Sequence, residues 1–151
     1  MATKHTNNNA FGVNITPDTS AYADGDVVGG LLRFDSERGS SAIVSVLVHD
    51  DDNEGAVFDL YLFDEEPTTI ADNAAFTPTI ADLQKRIATI AVDTYATVNS
   101  IKVATIHLAQ TGTIVPFSGN NLYGYLITNG STPTYAADKT INIRLNVVGE
   151  S

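Results

Sequence analysis

Within residues 141–148, INIRLNVV, the first seven alternate without a break: Ile141, Ile143, Leu145 and Val147 against Asn142, Arg144 and Asn146. Successive side chains of a strand point to opposite faces, so a period of two puts one face in a core and the other in water. Helical periodicity does not produce that pattern. Shorter apolar runs recur along the chain, namely AFGVNI, VVGGLLRF, AIVSVLVH, AVFDLYLF, ATIAV, IKVATIHLA and NLYGYLIT, each bounded by Gly, Asn, Asp or Pro. Together they predict an all-β fold, an antiparallel β-sandwich or jelly roll of about eight strands.

Several details sharpen this picture. AIVSVLVH and VFDLYLF are apolar on both faces, as befits central strands or strands whose outer face meets a partner. Gly29 and Gly30 interrupt a strand and predict a bulge or sharp bend. Asp24-Gly25 and Asn129-Gly130 are the strongest turn signals. The stretch LYLFDEEPTTIADNAAFTPTIADLQKRI departs from the strand pattern. Pro67 and Pro78 cannot donate to a ladder, so 64–79 reads as a connection. Thr79 with Asp82 three positions on makes a capping-box pattern, and Ile80, Leu83 and Ile87 share a helical face. One short helix near 80–87 is predicted, packed over an open end of the sandwich.

A length of 151 residues suits one domain with a core of its own. Residues 10–151 supply that domain; residues 1–9, with Asn7, Asn8 and Asn9, are polar and read as a flexible N-terminal arm. The first residues lack an apolar signal region, and no stretch approaches a membrane span. Without cysteine there are no disulfides or thiolate metal sites. Eight Lys and Arg against 18 Asp and Glu give a formal charge of −10, which repels nucleic-acid phosphates.

Chemistry-bearing patterns are few, and none predicts a catalytic, metal or cofactor site. In HDDDNEG, residues 49–55, Asp50, Asp52, Glu54 and Gly55 fall at the opening positions of a calcium loop, but the twelfth position is Tyr61 and the flanks are strands, so a hairpin turn is expected. Glu65 and Glu66 are adjacent acids with no sign of a cleft. His5, His49 and His107 lack metal-ligand spacing, and His107, inside a strand, reads as a partly buried structural residue. No nucleophile elbow or phosphate-binding glycine loop occurs. Tyr123 and Tyr125 face one way along their strand while Leu122 and Leu126 face the other, so one set is expected to line a core and the other a contact surface. Phe76 and Phe117, beside Pro78 and Pro116, are loop aromatics and hence interface candidates.

The stretch LYLFDEEPTTIADNAAFTPTIADLQKRIATI and the later NLYGYLITNGSTPTYAADKTINIRLNVV together resemble small structural proteins of tailed bacteriophages, the head decoration or cement proteins. The residues that carry the resemblance are Leu62-Phe63-Asp64, Pro67-Thr68, Asp72-Asn73-Ala74-Ala75-Phe76 and Ile80-Ala81-Asp82. The resemblance spans most of 57–148 and is loose over the first 50 residues. It implies a virion protein made in the host cytoplasm that docks on the outer capsid surface, binds the major capsid protein and clamps neighbouring subunits. It also implies a homo-oligomer, a trimer in preference to a dimer, with no catalytic activity. The interface candidates are then Phe76, Pro78, Phe117, Phe11 and, on the arm, His5 and Lys4. The competing expectation is a carbohydrate- or receptor-binding sandwich in which Tyr95, Phe117 and Tyr135 stack on sugars and the acids at 50–54 hold calcium.

Overall fold

The computed structural model describes residues 10–35, 41–108, 115–117 and 121–149. Two antiparallel sheets face each other. One contains β1 (Ala10–Ile15), β10 (Ile141–Gly149), β3 (Ser41–Asp50), β7 (Ile101–His107) and β6 (Ala96–Val98) in that order, with the short β8 (Val115–Phe117) also paired to β3. The other runs β2 (Val27–Asp35), β9 (Asn121–Thr128), β4 (Phe58–Phe63), β5 (Arg86–Val92). Along the chain, most successive strands change sheets, and the order β1-β10-β3-β7 opposed to β2-β9-β4-β5 is a jelly roll. β6 and β8 are the strands that the apolar runs did not announce. Each is three residues long, too short to show a period.

The alternation that opened the argument places β10 correctly: Ile141, Ile143, Leu145 and Val147 are buried and Arg144 is exposed. They meet Ile43, Val46 and Val48 from β3, and Phe34, Phe58, Leu60, Leu122 and Leu126 from the opposite sheet. Fully burying each such side chain contributes about 1.5–3 kcal/mol. β3 and β4 are central strands of their sheets; the outer face of β4 is covered by the segment that follows it, and Val44 and Leu47 of β3 are half-buried.

Gly29 and Gly30 do form a bulge. The register jumps from Val28↔Leu126 to Leu32↔Gly124, and both glycines have positive φ, 90° and 71°. A Cβ on Gly29 would lie 2.5 Å from Ile15 Cγ2, so only glycine lets β1 and β2 close that side of the sandwich.

Three expectations need correction. The helix α1 (Ile80–Gln84) stops early, because Arg86–Val92 pairs with β4 as an edge strand, and the ladder outweighs one further helical turn. Its supposed packing face is turned to solvent, with Ile80 78% and Leu83 40% exposed. His107 is exposed rather than partly buried; Ala104 and Ile106 are the residues of β7 that meet the core. The expected arm, with Lys4 and His5, lies outside the described residues, as do the side chains of Phe11 and Phe117.

Candidate docking surface

Connection 64–79, continued through α1 to Lys85, is a strap. It leaves β4 at Phe63 and crosses the outer face of the second sheet rather than the open end of the sandwich. β9 has Leu122 and Leu126 on its inner face, so Tyr123, Tyr125 and Ile127 fall on the outer one by alternation. Together with Val27 and Phe63 they would leave an apolar surface in water. Ile70 and Phe76 of the strap cover it and form a second, smaller core. Phe76 sits 4.8 Å from the ring of Tyr61 and 5.6 Å from that of Tyr125, and Tyr125 meets Phe63 edge-on at 6.0 Å. Phe76, expected as a docking residue, is therefore half-buried inside the protein itself, and Pro78 beside it is half-buried as well.

Polar anchors fix the path of the strap. Tyr125 Oη donates to Thr68 O at 2.6 Å and accepts from Ile70 N at 2.9 Å. Asp72 Oδ1 accepts from Tyr22 Oη at 2.8 Å and from Gly29 N at 2.7 Å, so the bulge in β2 receives a side chain from the strap. Residues 73–76 then run beside the outer edge of β2: Asn73 N donates to Val27 O and Val27 N to Ala74 O, each at 2.8 Å, and Phe76 N donates to Gly25 O at 3.0 Å. An edge strand that would otherwise present bare amides is covered.

Asp82 closes the far end. The capping box read from the sequence is present, with Asp82 N donating to Thr79 Oγ1 at 3.1 Å and Thr79 N to Asp82 Oδ2 at 3.2 Å. The other carboxylate oxygen accepts from Thr68 N at 2.9 Å and Thr68 Oγ1 at 3.1 Å. Donation from the Thr68 amide, aided by Thr79 and the two hydroxyls, holds the Asp82 carboxyl down at about 2 although the group is buried. Glu66 pairs with Arg33, whose guanidinium also lies 5.4 Å from the Tyr123 ring centroid, and Lys85 Nζ donates to Glu66 O. Ile80 and Leu83, large apolar side chains on a helix anchored at both ends, are left pointing into solvent. The sequence carried this signal as an amphipathic face, and only the three-dimensional path shows that the face has no covering layer among the described residues.

The remaining candidates are structural. Asp50 is fully buried, and its carboxylate accepts from Asp52 N and Gly55 N, each at 2.9 Å, across the turn between β3 and β4. Burial holds its pKa above the ordinary carboxylate value against those donors. Asp52 Oδ2 accepts from Ala136 N at 2.8 Å. The acidic run is thus a braced turn that carries the chain from β3 to β4 in the opposite sheet, not the hairpin expected from the sequence, and no group of three or more metal-ligating side chains occurs among the described residues. Tyr135 is 2% exposed and packs edge-on against Tyr22, and Tyr95 donates to Ala56 O at 2.7 Å. Both rings turn inward, which overturns their expected role as sugar-stacking platforms. Glu65 and Glu66 are exposed on the strap, with no cleft beside them among the described residues.

Fold and surface together define a class: a jelly roll with a braced strap across one outer face, leading into a helix that exposes Ile80 and part of Leu83. No family model and no curated protein sequence matches the chain. Among solved structures, the chain aligns with one from tomato aspermy virus at a TM-score of 0.43 and 11% identity, covering 94% of this chain and 78% of that one. It aligns with one from infectious bursal disease virus, Gt strain, at a TM-score of 0.17 and 14% identity, covering 92% and 41%. Likeness at these levels carries no argument about function, and the jelly-roll assignment rests on the strand order alone.

Proposed function

We propose that the protein is a non-enzymatic virion structural protein that decorates a capsid, docking on its outer surface and bridging major capsid subunits. The observation that carries this reading is the strap. Its anchors fix a helix that leaves Ile80 almost bare and Leu83 partly exposed, an arrangement that suits burial against a partner. The jelly roll serves capsid and lectin domains alike, so fold alone does not choose between them. The sequence resemblance over 57–148 favours the capsid. The inward-facing Tyr95 and Tyr135, and an acidic turn whose carboxylates are taken up by backbone amides, speak against the sugar- and calcium-binding alternative. A charge of −10 suits the outside of a particle, since it keeps particles apart and does not attract the packaged genome.

The test is reconstitution. Purified protein is added to expanded capsids stripped of outer proteins, and bound protein and capsid melting temperature are measured. Binding with a raised capsid melting temperature is expected. Ile80→Asp with Leu83→Asp should weaken attachment at least tenfold while lowering the free protein's own melting temperature by only a few degrees, because Ile80 is 78% exposed and Leu83 only partly covered. Failure of the unaltered protein to bind, or unchanged binding by the double variant, would overturn the reading or its assigned surface respectively.

A further inference from the structure

The lateral edges of the two sheets are not treated alike. β1 and β2 close one side of the sandwich against each other, at the Gly29–Ile15 contact, and the strap covers the exposed amides of Val27. On the other side, β6 flanks part of β7, and the short β8 lies close to β5 without pairing with it. β5 is the edge of its sheet, paired to β4 alone among the described strands. Natural edges are blunted by charged side chains, above all Lys, by Pro, by bulges or by a covering loop, and β5 keeps its one charge, Arg86, and its one bulge at its start, leaving Ala88–Val92 without either. Arg86–Val92, RIATIAV, has no Pro, Lys or Gly, and its single irregularity lies at its start, opposite the Leu62/Phe63 step.

We propose that β5 is a self-association edge: two copies of the chain join antiparallel about a twofold axis at Thr89, merging two four-stranded sheets into one. The charges on the strand select this occupant. The bulge pairs Arg86 with Phe63, on the outer face, where its guanidinium donates to Thr89 Oγ1 at 2.7 Å. Ala91 and Asp93 continue that face, and both are exposed. Antiparallel pairing centred on Thr89 sets Arg86 of each copy beside Ala91 and one pleat from Asp93 of the other, so the symmetry produces two opposite-charge contacts. The two Thr89 residues oppose each other, a favourable cross-strand pair, and Ala88 meets Ile90 on the inner face, so the apolar layer continues from copy to copy. An unrelated strand would satisfy the amides but not the charge pattern. The joint is small and predicts a reversible dimer with a Kd on the order of micromolar. This inference does not depend on what the strap docks to, and it replaces the threefold arrangement expected from the family resemblance with a twofold one.

Sedimentation equilibrium and native mass measurement on the full chain test it, together with cross-linking. The chain has no cysteine, so Thr89→Cys introduces a single thiol, and oxidation should link most of the protein into dimers. Thr105→Cys, exposed on the opposite sheet, should not. Arg86→Glu should weaken dimerisation at least tenfold, and combining it with Asp93→Arg should restore it, a rescue that a merely misfolded variant would not show. A monomer at hundreds of micromolar, a trimer, a dimer that withstands Arg86→Glu, or a dimer that Thr89→Cys fails to cross-link would each overturn the proposal.

Discussion

At the scale of single residues, the strap's second core rests on a few aromatic contacts. Phe76 is one of them, and its half-buried ring makes Phe76→Ala a packing defect. A loss of about 2 kcal/mol is expected, below the full-burial range for Phe→Ala, which lowers the melting temperature by roughly 4–8 °C in a chain of this size. Differential scanning calorimetry reads it directly. Asp82 gives a pH signature. Its folded pKa of about 2 lies below the ordinary aspartate value of 3.8, so its contribution to stability is complete above about pH 4 and drains away as pH falls toward 2. Asp82→Asn should melt lower than the unaltered protein at pH 7, with the gap closing between pH 4 and 2. Asp50, whose pKa is raised by burial, titrates in the opposite sense in both proteins and drops out of the comparison.

Among elements, the β2 bulge and the strap form one joint, since Asp72 binds the amide of Gly29. Gly29→Ala would place a methyl 2.5 Å from Ile15 Cγ2 at a φ of 90°. Gly25→Ala meets nothing within 4 Å at a φ of 86° and has only the backbone strain to bear. Chemical denaturation should therefore show Gly25→Ala costing about 1 kcal/mol and Gly29→Ala clearly more. These elements also show why some of the fold was legible and some was not. The capping box of Thr79 and Asp82 is local, so three residues of spacing announced it. The alternation of 141–147 was equally readable because one of its faces is wet. Ile80, Leu83 and Ile87 misled: their spacing fits a helix, yet pairing of Arg86–Val92 with β4 takes Ile87 into the sheet, a long-range effect that no local pattern records. Phe76 misled for the same reason, since nothing near it in sequence says that Tyr61 and Tyr125 wait on the outer face of a sheet.

For the molecule as a whole, the jelly-roll order makes most strand pairings distant in sequence. Among the described strands, only β4 with β5 and β6 with β7 pair with an immediate chain neighbour. Chains dominated by distant pairings fold slowly, so refolding by stopped flow should take milliseconds to seconds, with the β4–β5 and β6–β7 hairpins the first candidates for high φ-values. The strap has its own consequence at this scale. Its two ends lie on adjacent rungs, with Phe63 opposite Arg86 and Asp64 N bonded to Lys85 O, so entry and exit are neighbours whatever lies between them. Loop closure depends only weakly on length. A foreign peptide spliced between these two points would be carried on a stable base, provided that the patch uncovered at Val27, Phe63, Tyr125 and Ile127 is made polar in the same step, which would turn the molecule into a scaffold for displaying inserted sequence.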